Sequence, residues 1–192
     1  MDKQALSRAI QDGKFETDGG SILVPSLGIL ASGEYFHTVN GQDEQVDHNL
    51  LPDEALTFLV NLGFHTQSKI DNWYLALFAG AVAPAANWTA ASFPATASEI
   101  TSATEGYAGA NRPRFNSTAG TSKSVDNLTG GRAAFSIVTS GTLTVTGAAL
   151  LSNQLKGSTT GVLASATKFA TARTLQNGDV FELGYRVTLN AA

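Results

Sequence analysis

The 192-residue chain contains no cysteine. That excludes disulfides and thiol catalysis, and leaves only histidines and carboxylates to hold a zinc ion. Charge is scarce as well. Asp, Glu, Lys and Arg make up 15% of the chain, and the formal net charge is −4. The 12 Lys and Arg are thinly spread, whereas nucleic-acid binding needs clustered positive charge to displace phosphate counterions. No direct nucleic-acid partner is therefore expected. No apolar run approaches the roughly 20 residues that cross a bilayer. The longest candidate, Trp73 to Pro84, falls short, so no membrane partner is expected. The opening Met1-Asp2-Lys3-Gln4 lacks the apolar core of a signal peptide, which predicts synthesis in the cytoplasm.

Sequence signatures of catalysis are missing too. There is no Gly-x-Ser-x-Gly nucleophile elbow, no Gly-x-x-x-x-Gly-Lys phosphate cradle, no His-x-x-x-His helix signature and no EF-hand spacing. The three histidines are His37, His48 and His65. One metal arrangement is conceivable, with His37 and His48 meeting across a hairpin beside Asp47. Ordinary surface histidines are the expectation. Asp43, Glu44 and Asp47 read as a solvated acidic turn. Glu99, Glu105 and Asp179 are the carboxylates available for sugar cleavage, but aromatics total only 8% and mostly occupy strand positions. No catalytic residue, cofactor or metal is predicted, and the chain is not expected to be an enzyme.

What remains is a folded chain, 43% hydrophobic, whose surface falls largely to Ser, Thr, Asn, Gly and Ala. Such a surface suits coverage by neighbours. Helical spacing of Ala5, Leu6, Ala9 and Ile10 predicts a helix over 2–12. Residues 14–32 read as an extended arm with at most one short strand. Residues 34–39 form a strand leading into an Asn40-Gly41 turn, with 42–48 as the return leg or a polar loop. Pro52 to Leu62 is the clearest helix, with Ala55, Leu56, Leu59, Val60 and Leu62 giving it an apolar side and Gly63 ending it. Residues 73–78 form a strand buried on both faces, and 83–104 a long surface loop. The C-terminal half is β: strands over 133–138, 142–146 and 162–171, a turn at 177–179, and an alternating strand carrying Phe181, Leu183, Tyr185, Val187 and Leu189 on one face. The expected fold is mainly β, a β-sandwich or jelly-roll-like domain over 33–192 with one inserted helix (about 52–62), preceded by an N-terminal helix and extended arm over 1–32. Glu105 and Arg112 are expected to pair, within the chain or across a subunit interface.

Several stretches resemble a family of tailed-bacteriophage virion proteins. They are Ala31-Ser-Gly-Glu-Tyr35, Asn49-Leu-Leu51, Trp73-Tyr-Leu-Ala-Leu-Phe78, Trp88-Thr-Ala-Ala91, Glu105-Gly-Tyr107, Arg112-Pro-Arg-Phe115, Lys168-Phe-Ala-Thr-Ala-Arg173 and Asn177-Gly-Asp179. The resemblance covers most of the chain from residue 31 onward and consists of packing and turn residues. It implies a capsid decoration (cement) protein on the virion surface, bound to the major capsid protein, with a trimer as the first expectation for its homo-oligomer. The alternatives are a tail, collar or fibre accessory protein, or a carbohydrate-binding module presenting Trp88 and Tyr107. Candidate interface residues are Leu6 and Ile10 of the first helix, Ile22, Leu23 and Val24 of the arm, and Arg112, Arg114 and Phe115 of the loop.

Overall fold

A computed structural model describes residues 16–18, 21–23, 29–118, 120 and 122–191. The predicted helix over 2–12, with Leu6 and Ile10, lies outside the described residues, as does Val24. The chain divides into two compact units, residues 1–31 with 189–192, and residues 32–188. In the first, β1 (Glu16–Asp18) pairs antiparallel with β2 (Ser21–Leu23), and Glu16 stands opposite Leu23. The arm thus holds two short strands before β3 begins, where the sequence reading allowed at most one.

β3 (Ile29–Val39) turns at Asn40-Gly41 into β4 (Gln42–His48). Asn40 and Gly41 both adopt positive φ, 52° and 71°. A two-residue hairpin needs this backbone to match strand twist, and Asn and Gly tolerate it best. Residues 42–48 are therefore a paired strand. Helix α1 (Asp53–Phe64) follows, with Pro52 as its extended cap. It runs straight through Gly63, which was expected to end it. Gly63 keeps a helical backbone, and the helix closes with the His65 amide on Asn61 O at 3.0 Å.

β5 (Tyr74–Phe78), β9 (Thr142–Leu151) and β10 (Leu163–Gln176) form one antiparallel sheet, ordered β10-β9-β5. The larger sheet is ordered β4-β3-β11-β8-β6, from β6 (Gly106–Tyr107), β8 (Ala133–Val138) and β11 (Val180–Ala191). β7 (Ser124–Asp126) pairs with β11. The chain is mainly β, with two principal antiparallel sheets. β10 leaves its ladder midway. Lys168 faces Gly147 and Arg173 faces Val145, so Phe169 to Ala172 bulge out against Thr146 alone.

Strand alternation explains the core. In β5, Leu75 and Leu77 point to one face and meet Val145, Ala148, Leu150, Phe135, Phe181, Leu183 and Tyr185 from both sheets. Ala76 and Phe78 point to the other face and enter a second core with Trp88, Phe93, Leu151 and Leu163. β5 is thus buried on both sides, as its uninterrupted apolar run predicts.

The second core corrects the reading of 83–104 as a surface loop. Trp88, Ala90, Phe93, Ala97 and Ile100 are all buried. Phe78, Trp88 and Phe93 pack edge-to-face with centroids 6.1–6.4 Å apart, and a one-turn helix α2 (Phe93–Thr96) carries Phe93 inward. Two aromatics of roughly 150–250 Å² each bury enough surface to hold a segment with no periodicity. Where β9 crosses this core, Gly147 has no room for a side chain. A Cβ there would collide with the Phe78 ring and Thr167 O.

Candidate interaction surface

Helix α1 is held firmly at its start. The Asp53 amide donates to Ala86 O at 2.9 Å. One carboxylate oxygen of Glu54 accepts the amides of Ala90 at 2.8 Å and Leu163 at 2.7 Å. The first turn is thereby tied to the segment over the small sheet and to β10. Ala55 and Phe58 face inward, with Phe58 edge-on to Trp73 at 5.8 Å.

The opposite side of the helix is also apolar, and it is bare. Leu56, Val60 and Phe64 stand at i, i+4 and i+8 and are 44%, 59% and 90% exposed. Such spacing lays three side chains in one stripe. Leu59 and Leu62, elsewhere round the helix, are partly exposed as well. The single apolar side read from the sequence is therefore two: Ala55 and Phe58 inward, and Leu56, Val60 and Phe64 outward. Beneath the helix lies a cavity of about 370 Å³ walled mainly by Ala55, Phe58, Leu59, Trp73, Phe115 and Leu150.

The interface residues expected from the sequence fare differently. Ile22 and Leu23 lie on β2. In the 112–115 loop, Arg114 is exposed, whereas Arg112 and Phe115 are buried and so are not surface contacts. The Arg112 guanidinium instead grips Glu99 through Nε and Nη2, both at 2.7 Å, and donates Nη1 to Asn153 O at 2.8 Å. Glu99 also accepts the Gly157 amide at 3.0 Å. The partner of Arg112 is therefore Glu99 and not Glu105. Glu105 accepts from the Thr139 hydroxyl at 2.8 Å and the Ser140 amide at 3.0 Å. Those hydrogen bonds, led by Ser140, hold its carboxyl below the usual range.

The remaining carboxylates are also engaged locally. Asp179 accepts from the Gln176 amide at 2.7 Å and the Asn40 side chain at 2.9 Å, which hold it below its usual value. The acidic turn divides. Asp43 pairs with Arg173 and Glu44 with Arg132. Asp47, expected in solvent, is buried against His37 Nε2 at 2.9 Å. His48 lies on the outer face of the hairpin near Glu34, so His37, His48 and Asp47 do not converge on a metal. Trp88 and Tyr107 are buried and offer no stacking face to a sugar.

Three contributors carried no usable local signal. Glu54 reads as a helix-start acid, yet it caps amides 36 and 109 residues away. Arg173 and Asp47 both reach His37, and the Ala170 amide of the β10 bulge donates to Asp47; the Arg173 and Ala170 contacts span 136 and 123 residues of sequence. No protein-family model matches the chain, and no curated protein matches it in sequence.

Proposed function

We propose that this chain is a non-enzymatic structural protein of a tailed-phage particle, a decoration or cement protein that binds the outside of the capsid through its major capsid protein. The observation that carries the reading is the bare apolar stripe of Leu56, Val60 and Phe64. A helix apolar on two sides is expected between two partners, and among the described residues only the inward one is present. The major capsid protein is proposed as the outward partner on the resemblance to phage virion proteins expected from residue 31 onward. In support, Glu99, Arg112, His37, Asp47 and Arg173 are spent on one another inside the fold, which leaves binding as the use of the surface. A core shared by two antiparallel sheets supports a β-sandwich. A trimer at a local symmetry axis is the expected assembly.

Quantitative mass spectrometry of purified particles against the major capsid protein tests the proposal. On the order of hundreds of copies per particle supports a shell location, since shells repeat their sites by symmetry. About a dozen or fewer would move the protein to the tail or collar, the alternative location. Absence from the particle overturns the structural reading.

A further inference from the structure

The two sheets are joined at one corner by a buried polar chain whose proton count is fixed by its geometry. His37 on β3 is fully buried, and its ring stacks on Phe169 of β10, centroids 4.0 Å apart and 23° from parallel. Phe181 of β11 lies 5.6 Å from the same ring. Arg173 of β10 points Nε at His37 Nδ1, 3.1 Å away. A guanidinium only donates, so Nδ1 must accept and carries no proton. The single proton of the neutral ring then sits on Nε2 and is donated to Asp47 Oδ2 at 2.9 Å. The other oxygen of Asp47 accepts the Ala170 amide at 2.7 Å.

The place of this chain in the fold gives it consequence. Phe169 to Ala172 have left the β9 ladder. The Ala170 amide is satisfied by Asp47, and the Phe169 ring by His37 and Phe181. Arg173, where the ladder resumes, also pairs with the Asp43 carboxylate and donates to Asp43 O at 2.6 Å. The charged groups facing His37 are therefore Asp47 and Asp43 from β4 and Arg173 from β10. The nearest acid on β11, Glu182, is occupied by the Thr38 hydroxyl at 3.1 Å.

We propose that His37, Asp47 and Arg173 form an acid-sensitive latch between the sheets. A proton taken up at Nδ1 turns the acceptor of Arg173 into a donor. Two N–H groups and two positive charges then face each other in a buried site, and the Arg173–His37 bond breaks. The ring or the guanidinium has to leave, and the Phe169–Ala172 bulge opens while the ladders on either side stay paired. Burial first, and the Arg173 charge second, oppose that protonation and outweigh the pull of Asp47 and Asp43, which places His37 below its ordinary value.

Two readouts on the full chain test the latch. Nitrogen NMR of the imidazole at pH 8 should show Nε2 protonated and Nδ1 as an acceptor. Hydrogen exchange, corrected for intrinsic pH dependence, should show the Ala170 amide losing at least about tenfold in protection as His37 titrates, since each pH unit below the folded pKa shifts such an equilibrium by up to tenfold. Amides of β5 and β9 should keep theirs. His37→Gln, which cannot take up the proton, should abolish the pH dependence. If that variant fails to fold, the wild-type measurements decide. A proton on Nδ1 at pH 8, or a ring that titrates while Ala170 stays equally protected, overturns the proposal.

Discussion

Replacing Glu99 by Leu, or Arg112 by Met, should each destabilise the protein severely, and making both changes together should cost far less than their sum. Both side chains are fully buried. Glu99 accepts two guanidinium N–H groups at 2.7 Å and the Gly157 amide at 3.0 Å, and Arg112 sends a third N–H to Asn153 O. With Leu at 99, a buried guanidinium keeps one carbonyl partner. With Met at 112, a buried carboxylate keeps one amide. Breaking such a pair from either side costs about 3–5 kcal/mol, because the remaining charge is stranded. For a chain of this size that is roughly 6–20 °C in Tm. The double variant strands no charge and leaves only the Gly157 amide and the Asn153 carbonyl unpaired, at up to about 1–3 kcal/mol each, a cost that the two single variants already carry one apiece. The cycle should therefore show a coupling of at least about 2–3 kcal/mol, read from urea unfolding at constant slope. Single variants costing under about 1 kcal/mol, the range of exposed ion pairs, would refute the reasoning, and so would a double variant that costs the full sum.

Three further outcomes follow from the same contacts. His37 has a folded pKa below its ordinary 6.5, so the unfolded chain binds the proton first. The stabilisation is complete above about pH 6.5 and is lost as pH falls from there to the folded value. The stability difference between wild type and His37→Gln, measured by urea unfolding at each pH, should shrink across that window, and a difference that grows on acidification would contradict the tautomer. Among the described residues, the Tyr107 hydroxyl is the one buried side-chain polar atom without a partner. Tyr107→Phe should therefore be neutral or stabilise by up to about 1 kcal/mol; a loss larger than that in chemical denaturation would mean the hydroxyl is paired. Val60→Lys with Phe64→Ser should leave unfolding free energy within about 0.5 kcal/mol, as for exposed positions generally, yet abolish co-sedimentation with particles. Retained binding would move the interface elsewhere.

The strands with strict alternation were legible. Ala133–Val138 and the start of β11 bury every second side chain, which is the pattern that period two encodes. The Asn40-Gly41 hairpin was legible because its backbone is chemically specific. The cover of the second core was not. Trp88, Ala90, Phe93 and Ala97 fit neither period, and Ser, Thr and Ala between them dilute the apolar signal, so their burial depends on Phe78 of β5, far away in sequence. Pairing of Arg112 failed for a related reason. Glu99 and Glu105 stand 13 and 7 residues before it, and only the Phe78–Glu99 bridge brings one of them beneath the loop. The orientation of α1 was half legible. Its composition marks it as apolar, but which stripe meets the sheets is decided by the bonds of Glu54 to Ala90 and Leu163, far away in sequence.

The bare stripe also constrains how it works. Covering Leu56, Val60 and Phe64 from their present exposure gains about 3–6 kcal/mol, taking about 1.5–3 kcal/mol per fully buried side chain. Association itself costs at least about 4 kcal/mol in lost freedom. At most about 2 kcal/mol is left over, so one such face on one chain binds no more tightly than roughly tens of millimolar. On a shell the arithmetic changes. A trimer engaging three neighbouring sites makes the second and third contacts intramolecular and raises apparent affinity by about 10²–10⁴ without any new contact. The stripe suits a partner that repeats. Isolated capsid subunits should then bind the protein weakly in a titration, while intact particles retain it through sedimentation. Tight binding to a single isolated subunit would show that more surface than α1 is engaged, and equal weakness toward particles would remove the shell as its partner.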